Sequence, residues 1–574
     1  MAFANGTIWE NWDTGASTNG GGFDPTNASM ATDLTTDANT ANTASPVCSS
    51  ATYNFAARDV GAWLFIQSGT NWTPGWYQIA SVASNKATLT ATIGTAVLYG
   101  TVSTGLNYHR PNGLITAAGC ATVGTPTSGV WSIDYSQQAA AGIAYTDMAS
   151  AGAGSTYSSI LNPVGKNIVG NVLNVASGTN FTTGRFQVVS TSGTTATVDK
   201  AITTGVGALG TASLGGAYGA DIKVLAFALV AGNKVFIKAT GTYISTVTTT
   251  VTAAAKGDTT NGKIIVEGYT TYPGQQDGRP LITSATNSVA LLTLNDNDYF
   301  EFVHLKFTHT AATRGNGITC TTSTSSPLWF KDCIFDGCLT AINGGGNSSI
   351  IHCEGVEVLN CTSSTSAILI LGTLYLYGCD IHDNTGDAVR NTSGNTTVIY
   401  AQRSIFSKNA IAFNSVNTAA TIAITAHYCI FVDQTSDGMK VASNASVSTF
   451  ELSNNIFYNN GGYGIDNLDA QAEIDASVRI NRNNAYGANT SGAYLAMAGG
   501  KGEITLTADP FTSRAGRDYS LNNTAGGGAL LRSLGFPTQF PAGTTLNYLD
   551  VGAAQRNASA AAGGLLYIPN LDGI

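Results

Sequence analysis

The densest group of side chains able to do chemistry in this sequence is CDIHDNTGDAVR, which holds Asp380, His382, Asp383, Asp387 and Arg390. Other carboxylates worth weighing are Asp332, Asp336, Glu354, Glu357, Asp433 and Asp437. Two carboxylates held about 5 Å apart suit a retaining glycosidase, and a carboxylate cluster can share a Ca²⁺ as in a lyase. Asp380, Asp383, Asp387 and Arg390 are therefore the candidate catalytic residues, and Ca²⁺ is the one cofactor the pattern admits. The alternative is that Asp and Asn stand here as turn residues, repeated because a structural unit repeats. Asp336, Asp383 and Asp433 recur at similar places, as that alternative requires.

A second group is aromatic. Trp63, Trp72, Trp76 and Tyr77 lie in VGAWLFIQSGTNWTPGWYQI. They would serve as a carbohydrate-stacking platform or as the core of a small β module. His304, His352 and His427 stand singly and read as strand residues rather than ligands. No metal site is expected: the nine Cys include no C-x-x-C pair, and seven fall between Cys320 and Cys429. They read as small buried residues, not as a disulfide framework.

The elements that must position these groups announce themselves by period. From about Val235 to about Tyr486 the sequence repeats in coils of roughly two dozen residues, among them LWFKDCIFDG, LYLYGCDIHDN, VIYAQRSIFSKN, ITAHYCIFVD and FELSNNIFYNN. Ile recurs at 334, 381, 405, 430 and 456, with Val356 between, every 22 to 26 residues. A second series follows it: Ile318, Ile342, Ile368, Val389, Ile411, Met439, Ile465. One such coil cannot bury its apolar face alone, so neighbours must stack, with parallel strands about 4.8 Å apart. Each inward position then becomes a ladder of like residues, here mainly Ile, with Cys333 and Cys429 in equivalent places and Cys379 nearby. Asn360, Asn384, Asn409 and Asn459 suit the tight turns between faces. The expected fold is all-β: a right-handed, single-stranded parallel β-helix.

Before the coils lies a duplication. Val60–Ile79 and VGNVLNVASGTNFTTGRFQV (Val169–Val188) align without a gap, 109 residues apart from Gly61 to Gly170. Each copy reads as short strands separated by Gly/Asn turns, giving two tandem small β modules. Between module and coil, ADIKVLAFALVA (Ala220–Ala231) places Ile222, Leu225, Ala226 and Leu229 on one face of a helix closed by Gly232, suited to capping the open end of a solenoid. The expected divisions are 1–23 (extended docking segment, with Trp9 and Trp12), 24–125 and 126–213 (modules), 214–234 (capping helix), 235–500 (β-helix), 501–556 (closing segment) and 557–574 (tail, including the candidate docking peptide GLLYIPNLDGI).

Only 11% of residues are charged, the net charge is −9, and no Lys/Arg-rich stripe occurs. That argues against a nucleic-acid partner. No run approaches 18 apolar residues, so no membrane span is expected. MAFANGTIWENW lacks a basic segment followed by an apolar run, so a secretory signal is not expected either.

The combination of TNGGGFDP, GNKVFIKATGTY, NxIF-like coils, DPF…DYSLN…GGGAL and DVGAAQ resembles pectate-lyase-superfold proteins with β-helix repeats, above all those encoded by tailed phages. The resemblance covers residues 10–25 and 220–556. It implies a virion-surface protein, a tail spike or capsid decoration subunit, with other virion proteins and host polysaccharide as partners and a homo-oligomer, by resemblance a trimer, as its state. The alternative it leaves open is a polysaccharide lyase or glycoside hydrolase acting through a β-helix groove, because one solenoid carries many activities. The signatures N-T-D, G-H-G, R-I-K and W-I-D-H are absent from the coils, and WSID (Trp131–Asp134) lies outside them.

Overall fold

The computed structural model describes residues 3–553 except 38–44, 73, 91–95, 100–110, 116–126, 138–141, 163, 227–228, 252–254, 272, 296–298, 321–326, 392–395, 417–421, 442–448, 469–479, 496–498 and 533–549. The C-terminal peptide GLLYIPNLDGI and Cys120 lie outside the described residues. The chain divides into two compact units: Met1–Ile244 with Val251–Ile282 and Tyr299–Leu305, and Ser245–Thr250 with Thr283–Asp298 and Lys306–Ile574.

In the first unit the duplication becomes two closed six-stranded barrels, Ala31–Asp134 and Ile143–Leu214. The constant offset carries the geometry with it. Strand Trp63–Thr70 answers to Val172–Phe181 and Gly75–Ala83 to Gly184–Ser192. The turn between them needs left-handed backbone in both copies, at Asn71 and Asn180 (φ 60° each), where Asn is tolerated. The first barrel is closed by Thr127–Asp134, which pairs with Trp63–Thr70 and Ala31–Thr36. A division at 125/126 would cut that barrel from its last strand.

The barrels do not simply precede the solenoid. Ile8–Asn11 pairs in parallel with Lys234–Ile237, which pairs in parallel with Ile265–Gly268. The chain thus lays one rung, builds both barrels, and returns to lay the next rung beside the first. The N-terminal segment is therefore not a free docking peptide: Trp9 is fully buried, and the indole of Trp12 donates to the Tyr269 hydroxyl (2.8 Å). The expected helix at Ala220–Ala231 is, among the described residues, a single 3₁₀ turn, Lys223–Ala226. Ile222, Val224, Leu225 and Leu229 are all buried, while Ala220 and Lys223 are exposed. The segment's β-branched residues and short length disfavour an α-helix.

The second unit is a parallel solenoid with three ladders of strands. One ladder runs from Pro327–Lys331 through Thr397–Gln402 and Ile422–His427 to Thr449–Ser453. A second runs from Lys306–His309 through Ile334–Asp336, Glu357–Leu359, Asp380–His382, Ile405–Ser407, Ile430–Val432 and Ile456–Tyr458 to Ala485–Gly487. The third carries Ile318, Ile342, Ile368, Val389, Phe413, Met439 and Ile465 in register, all buried. Phe413 takes the place expected for Ile411.

The second ladder corrects the sequence reading more deeply. Its three-residue strands are bracketed by left-handed turns, for example Asp332, Arg403 and Asn454 before and Asn360, Asp383, Asp433 and Asn459 after. The middle residue of each strand must then point inward. That column is Phe335, Val358, Ile381, Phe406, Phe431, Phe457 and Tyr486, not the Ile series. Phe431 stacks between Phe406 and Phe457 with centroids 5.2 and 4.6 Å away and planes within 7°. Ile405, Ile430 and Ile456 face outward and are covered by the C-terminal segment through Phe511, Tyr519, Leu521, Leu531 and Val551. Ile334 pairs with Glu357 and then Asp380, so Ile381 and Val356 are not its equivalents. Cys333, Cys379 and Cys429 share one column, one residue before each strand, and the eight described Cys are buried and in no disulfide. Asn360 and Asn459 hold the left-handed turn, whereas Asn384 and Asn409 lie one residue later and are buried.

Two predictions follow from this packing. Phe431→Ala removes the middle ring of a fully buried stack and is expected to cost about 3–5 kcal/mol, read as a lower denaturation midpoint; a change within experimental scatter contradicts the stack. In the first unit, Glu10 is fully buried beneath Trp12 and Tyr269, and burial pushes its carboxyl up to about 8. The folded chain holds that proton to higher pH than the unfolded chain does. Stability contributed by Glu10 is thus full below the ordinary carboxylate range, falls as pH rises toward 8, and is flat above it. Relative to Glu10→Gln, the wild type should lose at most about 1.4 kcal/mol per pH unit in that window. Parallel pH profiles of the two thermal midpoints would contradict it.

Candidate functional site

The open stretch of the second ladder carries charge where the covered stretch carries Ile. Outward positions run Lys306, Ile334, Glu357, Asp380 along one column and Thr308, Asp336, Leu359, His382 along the next. The ladder therefore sets Glu357 directly beside Asp380. His382, 2% exposed, has one carboxylate at each ring nitrogen: Glu357 Oε1 3.2 Å from Nε2 and Asp383 Oδ2 2.7 Å from Nδ1. Lys306 pairs with Asp336 (3.2 Å) and Lys408 with Asp383 (3.9 Å). Arg517, at the turn of the C-terminal hairpin Phe511–Leu521, reaches back to Asp380, and Arg514 to Asp433.

The two adjacent carboxyls titrate in opposite directions. The hydrogen bond from His382 holds Glu357 below the usual carboxylate range. Burial raises Asp380 despite His382 and Arg517. Asp380 Oδ1 is buried with no hydrogen-bond partner.

Of the four catalytic candidates, the structure brings Asp380 and Asp383 together through His382 but sends Asp387 and Arg390 to the third ladder. There Asp387 accepts from Asn414 (2.7 Å) and Arg390 (3.4 Å). Asp383 and Asp433 do occupy the left-handed turn position, as the turn reading requires. Asp336 does not: it closes its strand, and Gly337 holds the turn.

Beside these groups an open groove of about 610 Å³ is lined by Thr308, Arg314, Asp336, Asn360, Asp383 and Thr385, among others. Arg314 braces it by donating to the carbonyls of Gly337 (2.8 Å) and Asn360 (3.1 Å).

Glu357, Asp380 and His382 can bring one ligating atom each within 4.8 Å of one another. This set does not fit Ca²⁺, which takes six to eight oxygen ligands, and Arg517 already lies against Asp380.

The aromatic candidates are not a platform. Trp63, Trp72, Trp76 and Tyr77 are only 2–8% exposed and belong to the core of the first unit. Trp76 donates to buried Asp134 and Trp72 to the Leu34 carbonyl. A stacking surface needs open ring faces, and these rings are spent on packing.

A different aromatic column lies on an outer face, with Trp329, His352 and Tyr375 half-buried and Tyr400 exposed. On the outward side of the first ladder Trp329, His352, Tyr375 and Tyr400 stand in register. Their planes lie within 15° and their centroids 4.4–5.4 Å apart. The signal in the sequence was their spacing of 23, 23 and 25 residues, at the coil period but offset from the Ile series. Nothing local marks Arg314 or Arg517, which reach the site from other coils or from the C-terminal segment.

No protein-family model matches the chain, and no curated protein matches its sequence. Solved structures similar in fold include the catalytic domain of a GH87 α-1,3-glucanase (9% identity, 63% of this chain and 89% of that one, TM-score 0.27). The GH136 lacto-N-biosidase from Eubacterium ramulus gives 11% identity, 49% and 64% coverage and TM-score 0.26. Tailspike protein 3 of Bacteriophage CBA120 gives 12% identity, 48% and 50% coverage and TM-score 0.22, so this chain spans half of that tailspike's length. These likenesses are of fold alone.

Arg517→Ala should loosen the hairpin that rests on the second ladder. A partly exposed pair contributes about 0.5–1 kcal/mol, so amide exchange in Phe511–Leu521 should quicken by a few-fold while that of Ile430–Val432 stays unchanged. Unchanged exchange in the hairpin would show that the ion pair does not hold it.

Proposed function

We propose that the chain is an attachment protein of a bacteriophage particle, a spike- or decoration-type subunit whose solenoid turns a glycan-binding face outward. The observation that carries the reading is the first ladder's outer surface: a continuous column of rings, flanked on one side by Lys331, Glu354, Tyr377 and Gln402, on parallel strands. The phage-like motif set and the solenoid fold support it further. In this reading the protein sits on the virion surface as a homo-oligomer, a trimer by resemblance, in contact with other virion proteins. Host surface polysaccharide is its external partner. Mass spectrometry of purified particles, followed by imaging, tests it: the chain is expected among the structural proteins, and recovery only from soluble lysate would overturn the reading.

One observation favours a second reading, a glycoside hydrolase or polysaccharide lyase. Glu357 and Asp380 are neighbouring carboxyls whose proton affinities are pushed apart, the pattern that separates an acid from a base. The attachment reading expects no new reducing ends from bacterial polysaccharide incubated with the chain. Release that Glu357→Gln and Asp380→Asn each cut by a hundredfold or more would establish the enzyme instead.

A further inference from the structure

The aromatic column on the first ladder ends at Tyr400. Trp329, His352, Tyr375 and Tyr400 stack face to face, so each ring covers the next. In the following coil Thr425 holds the register position, and in the one after it Glu451. Beside Thr425 stands Ala423, between Val398 and Thr449 in their own column. Ala423 and Thr425 are thus a pair of short side chains with Val398 and Tyr400 on one side and Thr449 and Glu451 on the other. Tyr400 and Glu451 are two coil spacings apart, about 10 Å, enough for one further ring on the exposed face of Tyr400. Tyr400 is 37% exposed. On the other side of Thr425, in the same strand, stands His427, whose ring lies 2.5 Å from Ser453 Oγ and 3.6 Å from Glu451.

We propose that the slot over Ala423 and Thr425 binds one neutral pyranose unit of a polysaccharide, its C–H face on Tyr400 and its hydroxyls toward Glu451, Thr425 and His427. The chemistry fits a sugar better than an aromatic ligand, because one wall is an apolar ring and the other a hydroxyl-accepting carboxylate. It also selects against acidic sugars, whose carboxylate would face Glu451 across the slot. The proposal rests on the attachment reading and gives it a place on the molecule.

Two variants of the full chain test it. Tyr400→Ala removes the stacking face. Thr425→Tyr fills the slot by extending a column of rings that the fold already builds, so both are expected to keep the wild-type thermal midpoint. The probes are dextran, mannan and laminarin, with polygalacturonate as the anionic comparison, read by retardation in polysaccharide-containing gels. At least one neutral polysaccharide should retard the wild type, and each variant should weaken that affinity about tenfold. Retardation by polygalacturonate alone, by none of the four, or equally for wild type and both variants would overturn the slot. Adsorption to cells of the strain that the particle infects separates the two levels. Variants that adsorb like a binding wild type sink the slot and leave attachment standing; a wild type that does not adsorb sinks attachment itself.

Discussion

Everything in the solenoid depends on satisfying backbone amides at the corners of its coils, where no strand pairs them. The chain meets that need with buried side-chain amides stacked from coil to coil. Asn384 Oδ1 accepts from the Cys361 amide (2.9 Å), and its own Nδ2 donates to Asn409 (2.8 Å). The Asn409 amide in turn donates to Gln434, that of Gln434 to Asn460, and that of Asn460 to Asn489. An unpaired buried amide costs about 1–3 kcal/mol, so each coil is bound to the register of the next. At the corner before the strand the same role passes to Ser404, Asn455 and Asn484.

Register, once fixed, decides which side chains meet. Left-handed turns on both sides of a three-residue strand leave only its middle residue inside, and that residue is a ring or an aliphatic in every coil. Its neighbours face out. Over Ile405, Ile430 and Ile456 lies the C-terminal segment; at Glu357 and Asp380 the surface stays charged, and Arg517 tethers it at its edge.

Much of this was legible in the sequence. The period, the parallel stacking, the third ladder's apolar series and the two modules all come from spacing, because a repeated structure repeats its chemistry. The direction of the second ladder was not legible. Ile and Phe alternate there as IF in coil after coil, and either could face inward; only the turn conformations decide. The N-terminal rung was hidden because its partner, Lys234–Ile237, lies more than two hundred residues away in sequence. The aromatic candidates failed for a related reason: the residues of the first barrel that look most like a glycan surface are the ones its small core needs. The outer-face column went unseen because His352 and Trp329 do not resemble Tyr375 and Tyr400 until they are placed one above another.

The central claim is the register of the outward face, since the groove, the covered Ile column and the aromatic column all follow from it. Disulfide trapping on the first ladder measures it directly. Val398 and Ala423 are register partners, whereas Val398 and Thr425 are two residues out of step. Adjacent parallel strands bring paired Cα atoms within reach of a disulfide, and a two-residue offset does not. The account predicts that Val398→Cys with Ala423→Cys closes readily on mild oxidation while Val398→Cys with Thr425→Cys stays reduced; the reverse result would contradict it.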